Sequence, residues 1–340
     1  MVGMQAMYRY KIPLQFPVGD KIAVAELARR CDVDEEMFAR LVQHAVTKQF
    51  LAQPQPGYVA HTAFSSMLAT APPLMEWVGF ASEELWPAGT HIIPALTKWP
   101  RPPWLPSQTG HNLAEGTSGT FFETLENDPV RSQRFATSMS IMQNFPGWEP
   151  KAALEVYDWG ALDADAVVVD VGGGDGTFAM ALAERHPKLK HIIVQDVAAT
   201  VEKAASLRPQ HEGDVISFQT HDFFHAQPVN HADVYFLRKI LHDWPDEYAV
   251  KILQQLVPAM KPGARVLIND HVMLPPGTMS AYNEWSFRCQ DLTMMSLFNS
   301  KERTESQWKD FIASADPRFA LKSVTPMPPG PLALMEIIWE

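Results

Sequence analysis

The sequence predicts an α/β fold in two parts, with a mainly helical region at 1–150 followed by a doubly wound parallel sheet at 151–340. Three observations predict it. The 340 residues are enough for two domains. Residues 1–150 show helical patterns separated by prolines, whereas residues 151–340 alternate strand-length apolar runs with helical patterns. Parallel strands need long crossover connections that cover the sheet, so this alternation is typical of a sheet with helices on both faces.

The N-terminal region contains two short helical patterns, Val24–Cys31 and Glu35–Thr47, and then a strand-like stretch at 51–59. This order resembles a winged helix-turn-helix, which often binds DNA. The second helix, however, begins with acidic residues and carries Arg40 as its only Arg or Lys, so it would repel phosphates. We interpret the region as a scaffold and keep a DNA-binding regulator as a disfavoured alternative.

Four apolar runs in the second region predict buried strands, and they are Ala166–Val171, His191–Gln195, Val234–Leu237 and Arg265–Ile268. Helical patterns lie between them at Phe178–Arg185 and Tyr248–Met260. The last two runs, Phe319–Thr325 and Leu332–Trp339, flank a Pro/Gly-rich turn at 327–331. That arrangement predicts an antiparallel hairpin that closes one edge of the sheet.

Composition excludes several function classes. The chain has 28 Lys and Arg against 39 Asp and Glu, a net charge of −11, which disfavours nucleic-acid and membrane partners. Its two cysteines, Cys31 and Cys289, are too few and too far apart for a disulfide framework or a cysteine metal site. We find no signal-peptide block and no long apolar stretch. We therefore expect a cytoplasmic protein with a small-molecule partner.

A glycine-rich turn follows the first predicted strand. Asp170 to Gly176 reads D-x-G-x-G-x-G, and a helical pattern begins directly after it. The dinucleotide fingerprint G-x-G-x-x-G would need a glycine where Thr177 stands. D-x-G-x-G-x-G is instead the pattern of class I methyltransferases, which bind S-adenosylmethionine (SAM). We expect Gly172 and Gly174 to let this cofactor approach the backbone.

Two further positions fit a nucleoside. Asp196 ends the second strand, 20 residues after Gly176, where a carboxylate can accept hydrogen bonds from both ribose hydroxyls. Asp222 and Phe223 follow the next strand pattern and offer a carboxylate for the adenine amine and a ring for stacking. An Asp at a strand end also serves as a cap or turn former, and this interpretation stays open.

The candidate catalytic residue is His242, in the sequence His-Asp-Trp-Pro-Asp-Glu. We expect a helix to begin here, with Pro245 in its first turn and Asp243 as its cap. A helix N-terminus disfavours imidazolium, so His242 is expected to be neutral near pH 7 and able to accept a proton.

With these motifs the sequence resembles the plant caffeic-acid-type and fungal polyketide O-methyltransferases, which combine a winged helix with a Rossmann-like domain. The resemblance runs from about Lys21 to Glu340 and includes the Lys-Glu-Arg-Thr stretch at 301–304. It implies that His242 deprotonates the acceptor hydroxyl, that Asp270 and Glu302 orient it, and that no metal is needed. Asp270 departs from the plant enzymes, which have the longer glutamate there.

The resemblance also implies cofactor contacts from Gly172, Asp196, Asp222, Phe223 and Arg238, the last standing where plant relatives carry lysine. A homodimer is a further implication. The acceptor would be a phenol, because a phenolic pKa near 10 suits a histidine base.

Soft and aromatic side chains suited to a flat polyketide or phenylpropanoid-like acceptor occur at Met139, Met142, Trp285 and Met295. One alternative remains on the same fold: a SAM-binding enzyme that catalyses dehydration or a pericyclic rearrangement, since a histidine with carboxylates also suits simple proton removal.

Overall fold

The computed structural model describes residues 1–207, 214–328 and 330–340, so Pro329 of the hairpin turn lies outside the described residues. The chain divides into two compact units. The first comprises residues 1–100 and 107–143, and the second comprises residues 101–106 and 144–340. Among the described residues, no helix is both long enough and apolar enough to cross a membrane.

The first unit is mainly helical and carries a small sheet. Its helices are α1 (Val2–Arg9), α2 (Val24–Arg30), α3 (Glu35–Thr47), α4 (Ala63–Thr70), α5 (Pro72–Gly79), α6 (Trp86–Thr90), α7 (Ile92–Lys98), α8 (Gly110–Glu115), α9 (Phe121–Glu126) and α10 (Pro129–Met142). Its strands are β1 (Lys21–Ala23), β2 (Leu51–Gln55) and β3 (Tyr58–His61), which pair antiparallel in the order β1-β3-β2. Strands β2 and β3 therefore form a hairpin where the sequence predicts a strand-like stretch.

The apolar faces of α2 and α3 account for the packing of this first unit. Leu27, Phe38 and Val42 are buried in one core with Leu51 of β2 and Val59 of β3. Asp34 caps α3, because its carboxylate accepts a hydrogen bond from the backbone N–H of Met37.

The second unit is an α/β domain. Its strands are β4 (Val167–Val171), β5 (His191–Asp196), β6 (Ile216–Thr220), β7 (Val234–Arg238), β8 (Arg265–His271), β9 (Phe319–Pro326) and β10 (Leu332–Trp339). Its helices are α11 (Ala152–Glu155), α12 (Thr177–Arg185), α13 (Ala198–Leu207), α14 (Asp246–Leu256), α15 (Ala281–Phe298) and α16 (Glu305–Ala315).

The seven strands form one sheet in the order β6-β5-β4-β7-β8-β10-β9. Strands β4 to β8 pair parallel, and β10 pairs antiparallel with both β8 and β9. The predicted α/β class, the doubly wound sheet and the closing hairpin are confirmed. The order of strands reverses at β4, so its carboxyl end lies at the topological switch point, where open α/β sheets bind their ligands.

Two apolar cores cover the two faces of this sheet, because successive strand side chains point to opposite faces. Val169 belongs to the core that contains Ile252 of α14 and Trp308 of α16. Val168, its neighbour in the chain, belongs to the core that contains Phe178 of α12.

Three predicted boundaries near the site differ from the structure. Strand β8 continues three residues past Ile268, so Asp270 lies within it. Helix α14 begins at Asp246 with Pro245 as its N-cap, and the expectation that Asp243 caps this helix is wrong. The same helix ends at Leu256, before Met260, because Pro258 has no N–H to continue the ladder and a 3₁₀ turn follows.

Candidate active site

The glycine turn lies at the carboxyl end of β4. Gly172, Gly174 and Gly176 have φ angles of 69°, 61° and 77°, a left-handed conformation that favours glycine. Gly173 is needed for space, because a Cβ there would lie 2.6 Å from Cγ of Asp170. At Gly174 nothing lies within 4 Å of an added Cβ, so this part of the turn presents bare backbone against which a ligand can lie.

Asp196 is brought to this turn, as the sequence predicts from its place at the end of β5. Its Oδ2 accepts the N–H of Gly174 at 2.9 Å, and its Oδ1 accepts the N–H of Val197 at 2.8 Å. Burial raises the pKa of Asp196, and these two backbone N–H groups act in the opposite direction. The carboxylate is therefore fixed in place by two backbone donors, and the side chain of Thr200 also donates to it.

Phe223 and Asp222 follow β6 and reach the same edge of the sheet. The Cε1 atom of Phe223 lies 3.8 Å from the position that a Cβ on Gly172 would take. Asp222 is exposed, and its Oδ1 accepts the N–H of Phe224 at 2.9 Å. The contacts of both residues with a nucleoside stay a prediction.

Arg238 ends β7 beside the buried Asp170 of β4. Burial lowers the pKa of Arg238 to about 10, and burial raises the pKa of Asp170 to about 7, although the charge of each opposes the effect on the other. The guanidinium donates from Nη2 to the carbonyl of Trp148. Within the described ranges, Nε of Arg238 and Oδ2 of Asp170 are buried without a hydrogen-bond partner. A cofactor contact for Arg238 stays a prediction.

The three residues expected to carry out catalysis meet in one buried cluster. His242 lies in a 3₁₀ turn after β7, Asp270 lies on β8, and Glu302 precedes α16. The Nδ1 atom of His242 lies 3.0 Å from Oε1 of Glu302, a hydrogen-bond distance. Asp270 lies farther from the ring, at 3.7 Å from Nδ1, while its Oδ2 accepts the backbone N–H of His242 at 3.2 Å. The shorter arm of aspartate thus holds the backbone of the histidine more closely than its ring.

Segment 300–303 fixes the turn that carries His242. Ser300 donates from Oγ to the carbonyl of His242 at 2.6 Å, and Arg303 donates from Nη1 to the carbonyl of Leu241 at 2.9 Å. The backbone N–H of Glu302 is held by Asp291 at 2.8 Å. Sequence reasoning missed the roles of Ser300 and Arg303; their position beside Glu302 was the available signal.

The protonation of His242 differs from the expectation. Burial by itself would lower its pKa, but the carboxylates of Asp270, Glu302 and Asp243 raise the pKa of His242 to about 10. These carboxylates therefore favour the imidazolium form, which is the opposite of the direction expected from the helix N-terminus. Three close carboxylates outweigh a helix N-terminus, whose effect fades within one turn.

The pKa values of Asp243 and Glu302 depend both on burial and on the nearby histidines. Burial raises the pKa of Asp243 to about 7, and its Oδ1 lies 3.5 Å from Nε2 of His242. Burial also tends to raise the pKa of Glu302, but the two neighbouring histidines lower it well below its usual range. Glu302 is therefore an anion throughout the neutral range.

The second of those histidines, His271, was not predicted. Its Nδ1 lies 3.2 Å from Oε1 of Glu302, and its ring centroid lies 5.2 Å from that of His242. The strand predicted from the sequence ends at Ile268, three residues before His271. The position of His271 directly after Asp270 could have indicated that it belongs to the site. His242, Asp270, His271 and Glu302 have ligand-type atoms within 4.8 Å of one another, the residue types of a metal site. The 3.0 Å contact between His242 and Glu302 also fits an acid–base cluster.

The four residues expected to contact the acceptor lie on two helices. Met139 and Met142 are on α10 of the first unit, with Met142 buried. Trp285 and Met295 are on α15 of the second unit, and Trp285 is 61% exposed. Their contact with an acceptor stays a prediction.

A doubly wound sheet with a glycine turn at its switch point and a buried histidine–carboxylate cluster defines a methyltransferase of the SAM-binding class. The family model of the O-methyltransferase domain matches residues 106–316, and the chain belongs to this family. The chain is 36% identical over 344 residues to the chlorophenol O-methyltransferase of Trichoderma longibrachiatum, covering 100% of this chain and 73% of that one.

Two solved structures are similar over the whole chain. One is LepI in complex with SAM, with 27% identity, a TM-score of 0.78 and coverage of 100% of this chain and 85% of the other. The other, described as a pericyclic reaction enzyme, has 28% identity, a TM-score of 0.78 and coverage of 100% and 86%. The chain is a SAM-dependent O-methyltransferase, and the predicted enzyme class and cofactor are confirmed.

Proposed function

We propose that this O-methyltransferase methylates a phenolic hydroxyl of an aromatic small molecule, with His242 as the general base. The observation that carries the proposal is the 3.0 Å contact between Nδ1 of His242 and Oε1 of Glu302 in a buried site. In the neutral form of His242, a proton on Nδ1 faces this carboxylate, and Nε2 is the nitrogen that would accept the proton of the acceptor. The chlorophenol O-methyltransferase that this chain resembles supports a phenolic acceptor.

The acidity of the acceptor fits the charge of the cluster. The pKa of His242 is raised to about 10, close to the pKa of roughly 10 of a phenol. The carboxylates that raise this pKa would stabilise the imidazolium that forms when His242 takes the proton of the phenol. The reactive complex contains one proton shared between His242 and the acceptor oxygen. It forms either from imidazolium and phenolate or from neutral imidazole and phenol.

The glycine turn and its neighbours would hold the cofactor. The bare backbone at Gly174, the tight turn at Gly172, the anchored carboxylate of Asp196 and the nearby ring of Phe223 fit a nucleoside with an amino-acid tail. When bound, SAM supplies a methyl group on a positively charged sulfur. The exposed carboxylate of Asp222 would accept a hydrogen bond from the adenine amine. His242 would keep the proton of the phenol while the oxygen takes up the methyl group.

The first unit would act as a winged-helix scaffold. Helices α2 and α3 with the hairpin β2–β3 support this proposal.

Met139 and Met142 are proposed to contact the acceptor. Two copies of the chain are proposed to form a homodimer. The molar mass in solution, measured by light scattering, tests the dimer.

A pericyclic or dehydrating reaction is the second candidate, and the similarity to a pericyclic reaction enzyme favours it. The test uses SAM with a labelled methyl group and a panel of phenols, including chlorinated ones. Label in an aryl methyl ether supports methyl transfer. Conversion of an added substrate without transfer of the label would support the alternative.

The His242→Ala variant tests whether His242 is the general base. The His242→Ala variant is expected to lose turnover by about 10²–10⁴-fold while keeping its affinity for SAM. The His191→Ala variant changes an exposed histidine of β5 and serves as the control. Full turnover in the His242→Ala variant would remove this residue from the mechanism.

A further inference from the structure

We propose that His271 is a positioning residue for His242 and acts through the carboxylate of Glu302, which both imidazoles contact. The inference rests on the proposed role of His242 as the base. It adds a residue outside the motifs that the sequence resemblance identifies.

The geometry of Glu302 is the first support. A single oxygen, Oε1, faces both rings, with Nδ1 of His242 at 3.0 Å and Nδ1 of His271 at 3.2 Å. The other oxygen, Oε2, is buried and has no hydrogen-bond partner in the part of the chain that the structure describes. The negative charge of Glu302 therefore faces both imidazoles, with hydrogen-bond geometry toward His242 and only a short ion-pair distance toward His271.

His271 is held in place by contacts of its own. Its carbonyl accepts a hydrogen bond from Nε1 of Trp308 at 2.9 Å, and its N–H donates to Oδ1 of Asp270 at 3.0 Å. The ring meets that of Trp148 edge to face, with centroids 4.9 Å apart, and its side chain is 4% exposed. The first two contacts hold the backbone of His271, and the third packs its ring against Trp148.

The charged groups around His242 decide what this contact does. Asp243 faces the ring from its own turn, Asp270 and His271 face it from β8, and Glu302 faces it from the segment before α16. Lys239 precedes the turn, and Arg303 binds the turn through a backbone carbonyl. Among these near groups, His271 alone competes with His242 for the charge of Glu302.

The direction of the effect follows from this competition. Without His271, Glu302 would interact with His242 alone, and the imidazolium form of His242 would gain stability. A neutral His271 that donates to Glu302 and a charged His271 both give this sign. His271 therefore lowers the pH at which His242 releases its proton.

The test is a nuclear magnetic resonance titration of the His242 ring in the absence of turnover, in four proteins. The His271→Gln variant places its amide nitrogen away from Glu302, whereas the His271→Asn variant places it where Nδ1 stands. We expect His242 to titrate about 0.5–1 pH unit higher in His271→Gln. The His271→Asn variant should restore most of the wild-type value, and the control His191→Gln should match the wild type.

Kinetics supply a second readout that a purely structural role would not move. The high-pH fall of kcat/KM with a chlorinated phenol should shift upward in His271→Gln, while the KM for SAM stays within about twofold. Titration of His242 at the wild-type pH in a folded His271→Gln variant would overturn the proposal, as would equal shifts in the Gln and Asn variants.

The titration separates this inference from the proposed function. A His242→Ala variant with full turnover would reject the base, whereas the titration of the His242 ring would still report whether His271 acts on it. If His271→Gln does not fold, the His271→Asn variant is used instead. An increase of about one pH unit in the titration of His242 in this variant would contradict the positioning role, because its amide nitrogen stands where Nδ1 of His271 stood.

Discussion

The imidazole of His242 and the carboxylate of Glu302 lie 60 residues apart in the chain and 3.0 Å apart in space. Their contact depends on Ser300 and Arg303, which bind the backbone carbonyls of the turn that carries His242. The proposed base is thus positioned by the same segment that supplies its counter-charge. Substitutions in this segment are expected to change the rate more than the affinity for SAM.

The Glu302→Gln variant tests that relationship. The amide oxygen can still face Nδ1 of His242, but the imidazolium loses one counter-charge. We expect kcat to fall by about 10²-fold with the KM for SAM unchanged. Steady-state kinetics with labelled SAM measure it, and the exposed Glu305→Gln variant is the control. An unchanged kcat would show that the charge of Glu302 is dispensable.

The proposed cofactor contact of Asp196 can be tested by replacing one of its carboxylate oxygens with an NH₂ group. Both carboxylate oxygens accept backbone N–H groups, from Gly174 and Val197. The Asp196→Asn variant must therefore turn its NH₂ group toward one of these donors. We expect affinity for SAM to fall about tenfold to hundredfold by calorimetry. The exposed Asp165→Asn variant should bind as the wild type does, and equal affinity of both variants would contradict the assignment.

The glycine turn predicts different costs at neighbouring positions. An alanine Cβ at Gly173 would lie 2.6 Å from Asp170 and 2.9 Å from Val194, both buried, so packing must shift. Gly174 has open space, and alanine there meets only the strain of a φ of 61°. We expect the free energy of unfolding to fall by about 2–3 kcal/mol for Gly173→Ala and about 1 kcal/mol for Gly174→Ala. Denaturant unfolding measures both, and the reverse order would contradict the packing argument.

The pH dependence of kcat/KM follows from the charge of His242. A chlorinated phenol ionises below the pKa of about 10 of His242, and the productive pair contains one proton in total. The rate constant should rise as the pH passes the pKa of the phenol, stay level, and fall above about pH 10. Phenols of different acidity should move the rise and leave the fall in place. A rise fixed near pH 6.5 for every phenol would indicate an ordinary, unperturbed imidazole.

The buried His111 of α8 is expected to reduce the stability of the first unit at acid pH. Burial, with a contribution from the charge of Arg131, lowers the pKa of His111 to about 4. Because the unfolded chain takes up this proton near pH 6.5, the stability is complete above that pH and is lost as the pH falls toward 4. We expect a loss of up to about 3 kcal/mol, measured by unfolding at several pH values.

The His111→Gln variant should flatten this dependence between pH 6.5 and pH 4. The exposed His44→Gln variant of α3 should keep it. Equal acid sensitivity in the His111→Gln variant and the wild type would assign the acid sensitivity to other groups.

The sequence alone determined the parts of the protein that depend on local chemistry. The glycine turn, the strand that precedes it and the carboxylate at the end of β5 were readable, because left-handed glycines, apolar runs and strand ends are properties of short segments. The meeting of His242 with Asp270 and Glu302 could be expected only through the family resemblance, since nothing in the spacing of these residues places them together.

Tertiary structure decided the charge of the cluster and its fourth member. The raised pKa of His242 arises from carboxylates on three segments, and the contact of His271 with Glu302 appears only when β8 and the segment before α16 are packed together. Asp243 failed as a cap for a related reason: the turn that carries it is held by segment 300–303, and the helix begins only at Asp246. Electrostatic interactions depend on distance in space and on burial, and neither quantity is encoded in a single segment of sequence.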